Sequence, residues 1–286
     1  MLSQYQNLLQ TILDNGVRTN TQQETDAITY IAPPPLRYKL SEGFPIITER
    51  SIRSFWKQAI AEIIAFMNGA RTQAELEEYG CKWWHPWVTE AKTKKRGLEV
   101  GDLGPGSYGA AFHNFPTAEG ESFNQFAAVI QQIKERPHLR THFISPWIPQ
   151  YNFRIEGRTQ KVVVCPCHGW IHLRILDGKL TLHMFQRSAD VPVGVPANMV
   201  QYAALLMMIA HITGYEPYEY IHSFSDAHIY VDQVDRVKEI IAREARPFPT
   251  VKMINTHDNI FDFRKDDFEL SDYNPHPAIK DIPVAI

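Results

Sequence analysis

Two cysteines stand one residue apart in VVVCPCHGW (residues 162–170), with a proline between them and His168 behind. Such residues serve a disulfide, half of a metal site, or a thiol nucleophile. Cys165 and Cys167 are poorly placed to bond to each other. In an extended segment residues i and i+2 point the same way, from Cα atoms near the upper separation a disulfide tolerates. Cys81 makes the cysteine count three, and an odd, small number argues against a structural disulfide framework. A zinc site wants a second Cys or His pair at short spacing, which this C-x-C-H lacks, so no metal is expected. The thiol remains. It becomes a nucleophile where positive charge stabilises its thiolate, and His168 and the Arg187 of HMFQRSAD are the candidates for that charge. A buried small hydrophobe is the competing reading.

Glu62 sits inside AIAEIIAFM, where a carboxylate is costly unless it has a partner or a proton-transfer role. A merely exposed or snorkelling glutamate is the alternative. HSFSDAHIYVD (222–232) packs His222, Asp226, His228 and Tyr230 together. In a strand His228 and Tyr230 share a face, either as half-buried strand residues or as a grip on a polar ligand such as a sugar hydroxyl. Arg18, Arg140 and Arg187 stand in or beside strands and loops. Arginine is the preferred fork for phosphate, although each alone also reads as a surface ion-pair residue.

The elements that must position these groups mix helices and strands. MLSQYQNLLQTILDNG reads as an amphipathic helix stopped by Gly16, and a long helical pattern runs from Ser51 to Gly69. A Trp-rich basic loop follows at 81–109, then a helix over Phe123–Glu135. Strands are expected in TDAITYIAPPPLRYKL, THFISPW, KVVVCP, IHLRILDG, KLTLHMFQRS and YEYIHSFSDAHIY, with Asp-Gly joining the IHLRILDG–KLTLHMFQRS pair as a hairpin. Apolar ANMVQYAALLMMIAHITG is a helix ending at Gly214, and VDQVDRVKEIIAREA another. There is no strict βαβ rhythm, so the expected fold is α+β, with one large mixed sheet flanked by helices in a single domain over 1–286.

With 44% hydrophobic and 21% charged residues and a net charge of −3, the chain lacks the basic excess of a nucleic-acid coat or a membrane-surface binder. No nucleic acid or membrane partner is expected. The N-terminal stretch lacks the features of a signal peptide, and a cytoplasmic location is expected.

In order along the chain, PCH (166–168), QRSAD (186–190), GVPAN (194–198) and DAHIY (226–230) resemble the motifs of the thymidylate synthase family. Upstream, GFPIIT (43–48), GDLGP and YG (101–109) have counterparts, and DYNPHPAIKDIPVAI looks like the family's C-terminus down to its last isoleucine. The resemblance implies that Cys167 attacks C6 of a pyrimidine 5′-nucleotide, making C5 nucleophilic toward the one-carbon unit of 5,10-methylenetetrahydrofolate, the cosubstrate. It implies phosphate binding by Arg18 and Arg187, with Arg140 reaching in from the second subunit of a homodimer. Glu62 would organise water for proton transfer, with Tyr108 and His168 in the same catalytic set. Ser188 would contact the nucleotide, His228 and Tyr230 the sugar, and Trp84, Asp190, Gly194 and Ala285 the folate. Asn198 would meet the base edge, where a side-chain amide suits uracil and favours dUMP.

The sequence also departs from the family pattern. Thr141 stands where a second arginine is usual, Phe224-Ser225 replace a Gly-Gly pair, His113-Asn114 and WWHPW (83–87) alter other signatures, and His172 takes a glutamine's place. Around an untouched nucleophile these changes place a nucleotide 5-hydroxymethylase, in which water adds to the exocyclic methylene, ahead of a thymidylate synthase, in which hydride does. A CMP or dCMP hydroxymethylase is a further variant. Retained Trp84, Tyr108 and the PVAI tail argue for the synthase.

Overall fold

The computed structural model describes residues 2–23 and 25–285; Met1 and the terminal Ile286 of the tail resemblance lie outside the described residues. In chain order the elements are α1 (Gln4–Asn15), β1 (Val17–Thr19), β2 (Ala27–Ile31), β3 (Leu36–Lys39), α2 (Trp56–Met67), α3 (Gln73–Tyr79), α4 (Glu90–Lys94) and α5 (Tyr108–His113). There follow β4 (Phe115–Pro116), β5 (Ser122–Phe123), α6 (Gln125–Glu135), β6 (Phe143–Ile144), α7 (Pro149–Asn152), β7 (Trp170–Leu176) and β8 (Lys179–Asp190). The last are α8 (Gly194–Thr213), β9 (Glu216–Tyr230), α9 (Val234–Ala242), β10 (Thr250–Met253) and β11 (Phe268–Ser271).

The fold is α+β, as expected: a large mixed sheet runs β1-β2-β9-β8-β7-β6, with β3 also paired to β9. All its pairings are antiparallel except β8 with β9, which run parallel because α8 carries the chain back between them. Leu173, Leu182, Met184 and Tyr220 point from the sheet into the core, where α8 packs over β8 and β9 and α2 packs against α8. α8 is apolar around its whole circumference because it is wrapped on all sides. It is long and apolar enough to cross a membrane by composition, yet most of it is buried within the protein. The described residues leave the other sheet face uncovered: Phe143 and Phe185 are 53% and 38% exposed, and Trp170 packs edge-on against Phe185 at 5.9 Å.

Local chemistry explains where the boundaries fall. Ser3 and Gln6 close a capping box on α1, and Gly214 ends α8 in the left-handed conformation. The helix expected from Ser51 starts only at Trp56. KVVVCP is not a strand. Its backbone is held by a loop and by α7, Val163 N–H donating to Leu103 O and Lys161 N–H to Tyr151 O, and Pro166 has no N–H to give a ladder. This irregular run brings Cys167 to the C-terminal end of β8, where Arg187 N–H donates to Cys167 O at 2.8 Å. Gly169, at φ +101°, then turns the chain into β7; a Cβ there would meet Phe112 Cζ at 2.9 Å.

Candidate active site

Cys167 lies at the junction of two cavities. One, about 550 Å³, is walled by Trp83, Trp84, Trp87 and Tyr108 and covered by Ile279, Ile282 and Val284 of the C-terminal tail. The other, about 810 Å³, is polar and lined by Arg187, Asp226, His228 and Tyr230 together with Lys92, Lys95, Arg96 and Arg154. Cys167 and Ser188 line both.

The thiol is tightly framed. Cys167 N–H donates to Tyr108 Oη at 2.6 Å, and Arg187 Nη2 lies 3.5 Å from Sγ. The guanidinium is fixed by the Pro166 and Cys165 carbonyls at 2.8 and 3.0 Å and by the Trp147 ring at 5.5 Å. Burial pushes the Cys167 thiol up while Arg187 pulls it down and Asp226 raises it slightly; burial wins. Cys165 is also raised, to about 11, chiefly by burial, and accepts from Gln160 Nε2 at 2.7 Å. All three cysteines are free thiols.

His168 does not supply the positive charge that sequence assigned to it. Burial and the nearby Arg187 depress it to about 3, so it is a neutral imidazole bonded to Tyr202 Oη at 2.6 Å and stacked on Tyr108 at 4.6 Å. Arg187 is the cation beside the thiol.

Glu62 is 6% exposed on α2. Its Oε1 accepts from Trp83 and Trp84 Nε1, each at 2.5 Å, and its Oε2 accepts from Gln201 Nε2. Desolvation raises its pKa, against the lowering effect of these donors. Asn198, on α8, donates from Nδ2 to Gln201 Oε1 at 2.8 Å. Asp190 is pushed up to about 6 by burial and accepts from Gln233 Nε2 at 3.2 Å. That Nε2 also donates to Pro283 O at 2.9 Å, tying the tail to the cavity rim. His228 bonds to Asp226 through Nδ1 at 2.7 Å, beside Tyr230.

An arginine-framed thiol between a polar cleft and an apolar cavity suits attack on a ring carried by an anion. A family model described as thymidylate synthase matches residues 3–286. The chain belongs to the thymidylate synthase family. It is therefore a one-carbon transferase of nucleotide biosynthesis, moving a carbon from methylenetetrahydrofolate to C5 of a pyrimidine nucleotide as methyl or hydroxymethyl.

Of the residues that sequence nominated, the thymidylate synthase fold brings Cys167, His168, Arg187, Ser188, Asp190, Asn198, Glu62, Tyr108, Trp84, Gly194, His228 and Tyr230 to the rims of these two cavities. It does not bring Arg18 or Arg140 there. Arg18 is two-thirds exposed and paired with Asp26 at 2.8 Å. Arg140 is exposed at the border of the open sheet face, its carbonyl accepting from His172 Nε2 at 3.1 Å. Ala285 is half-buried in the tail, next to the Val284 that lines the apolar cavity. Among the described residues no group of three or more His, Cys, Asp or Glu side chains is arranged to hold a metal ion.

Sequence reasoning missed Gln201, Gln233 and the Lys92–Arg96 cations. Gln201 left a signal, as the second amide in apolar ANMVQYAALLMMIAHITG, three residues and so one helical face from Asn198.

Proposed function

We propose that the chain methylates a uracil nucleotide, with dUMP favoured, to dTMP with release of dihydrofolate, as one catalytic domain working in a homodimer. The observation that carries this reading is the placement of Cys167 between an Arg187-bearing polar cleft and an aromatic cavity capped by the tail. The Cys167 thiolate adds to C6 of the base, and the electron pair moves to C5 and O4. The folate supplies a carbon at the formaldehyde oxidation level and, in the methyl branch, the hydride. Glu62 handles the proton that leaves C5, through water in the cavity it borders. Arg187 and Ser188 hold the nucleotide, His228 and Tyr230 its sugar, and Asp190 the pterin. Lys92, Lys95, Arg96 and Arg154 supply charge on the phosphate side where Thr141 replaces a second arginine.

Methyl transfer moves ahead of hydroxymethylation because the departures that favoured the latter, apart from WWHPW whose three tryptophans line the folate cavity, lie away from it. Phe224 is 3% exposed and stacked on His222 at 4.1 Å, inside the core. His113 and Asn114 border neither cavity, and His172 faces the open side of the sheet. The three tryptophans and the tail leave an apolar lining that keeps water from the C5 methylene long enough for hydride to arrive. The uncovered sheet face with Phe143, Trp170 and Phe185 supports a second copy, and in such a dimer Arg140 at its border would enter that copy's cleft.

The test is to incubate enzyme, dUMP and methylenetetrahydrofolate and identify the folate product. Dihydrofolate with dTMP supports methylation; tetrahydrofolate with a 5-hydroxymethyl nucleotide overturns it in favour of the hydroxymethylase.

A further inference from the structure

Glu62, Gln201 and Asn198 form a hydrogen-bonded chain whose direction is fixed at one end. Indole N–H groups only donate, and those of Trp83 and Trp84 both end on Glu62 Oε1 at 2.5 Å, with the Cys81 thiol 3.9 Å from the same oxygen. Glu62 Oε2 faces Gln201. An ionised carboxylate only accepts, so the Gln201 atom turned toward it is the amide nitrogen. The Gln201 oxygen then faces Asn198 and requires the Asn198 nitrogen opposite it, as found at 2.8 Å. Glu62, Gln201 and Asn198 are 6%, 0% and 6% exposed, so the chain is shielded from bulk solvent.

We infer that Gln201 is a specificity-determining residue, which transmits the ionisation of Glu62 to the Asn198 amide and holds it in the orientation that accepts uracil. The inference rests on the reading of Asn198 as the base-edge contact. With one N–H given to Gln201, Asn198 keeps one N–H and its Oδ1 for the substrate. Uracil needs that pair, a donor for O4 and an acceptor for N3–H. Cytosine presents the reverse, an amino donor and an N3 acceptor, and needs the amide turned over. Turning it over sets Asn198 Oδ1 against Gln201 Oε1. The conflict is relieved only if Gln201 turns too and presents its oxygen to Glu62, which requires a proton on Oε2. Accepting cytosine is therefore linked to protonating Glu62.

The titratable groups around Glu62 do not substitute for it. Cys81 and Tyr202 are raised by burial and stay neutral, as does Tyr108, and His168 is depressed to about 3. Asp190, raised to about 6, lines the same cavity but bonds to Gln233 and not to this chain of amides.

The experiment titrates the Cys167→Ser protein, which forms no adduct, with dUMP and with dCMP, and takes the ratio of their dissociation constants. In that background Gln201→Met frees the Asn198 amide, and the preference for dUMP is expected to fall by roughly tenfold or more. Gln201→Glu keeps an acceptor facing Asn198 and is expected to stay within about threefold of its parent. The parent's preference should weaken as pH falls and Glu62 takes up its proton. A Gln201→Met protein that melts like its parent yet discriminates as well would overturn the inference, as would loss of discrimination in Gln201→Glu. If Gln201→Met does not fold, Glu62→Gln in the same background decides, since its amide can face either orientation of Gln201, and a ratio unchanged from the parent removes the link to Glu62. A parent that binds neither nucleotide, or both equally, defeats the base-edge reading itself, a different failure from a discriminating parent that ignores Gln201.

Discussion

Arg187 Nη2 stands 3.5 Å from Cys167 Sγ while the same guanidinium is anchored by the carbonyls of Cys165 and Pro166. Burial raises the thiol and this one cation opposes it, so the free enzyme holds Cys167 largely protonated at neutral pH. Alkylation of Cys167 should therefore accelerate with rising pH. Arg187→Met should displace the alkylation profile about 1–2 pH units to the alkaline side, with Arg187→Lys between. A profile that does not move would show that the guanidinium binds substrate without tuning the sulfur.

The neutral His168 gives stability a defined pH dependence. Its folded pKa, near 3, lies below the ordinary 6.5, so below pH 6.5 the unfolded chain takes up a proton that the folded one refuses. Stability from this source is complete above pH 6.5 and falls by roughly 3 kcal/mol on going to pH 4. Asp190 works in the opposite sense. Its carboxyl, raised to about 6, binds its proton more tightly when folded, and that contribution is lost as pH rises through 6. Denaturant unfolding of wild type and His168→Gln at the two pH values isolates the histidine, because Asp190 is common to both. The wild type should lose more stability on acidification; equal losses would contradict the assignment.

Gln233 joins Asp190 to Pro283 through a single amide nitrogen. Gln233→Leu should release the tail, making the C-terminal residues more susceptible to carboxypeptidase and raising KM for methylenetetrahydrofolate about tenfold, with a smaller effect on the nucleotide. Unchanged tail protection would show that other contacts hold it.

Arg140 and Cys167 of one chain do not meet in one cleft, since Arg140 lies at the border of the uncovered sheet face. Arg140→Ala and Cys167→Ser proteins, each impaired alone, should regain activity when mixed and allowed to exchange subunits. Random pairing in a two-fold symmetric dimer restores about a quarter of the wild-type rate. No recovery under conditions that exchange subunits would place Arg140 outside the site.

Most of the site was legible because chemistry-bearing residues sat where pattern made them anomalous. Glu62 in an apolar helix and Cys167 beside Pro166 and His168 are of this kind, and the fold class followed from the Asp-Gly hairpin and the uneven rhythm of helices and strands. What was lost depended on tertiary context. His168 looked like a cation because a histidine's charge depends on burial, which neighbours in sequence do not reveal. KVVVCP has every β-former a strand wants, but its backbone partners are not strands: Leu103 comes from a distant loop and Tyr151 from the short helix α7. Phe224, known from sequence only as a departure from a Gly-Gly pair, lies in the core, and alternation along β9 leaves open which face that is. Gln201 went unseen since an amide matters there only through the partners at its two ends.

The central claim, that Cys167 activates the base for substitution at C5, is tested most directly with dUMP carrying tritium at C5. With methylenetetrahydrofolate present, wild-type enzyme should release tritium to water, since both methyl and hydroxymethyl transfer replace that hydrogen, and Cys167→Ser should release none above background. Release that survives in Cys167→Ser, or its absence in a wild-type protein that binds both substrates, would contradict the account.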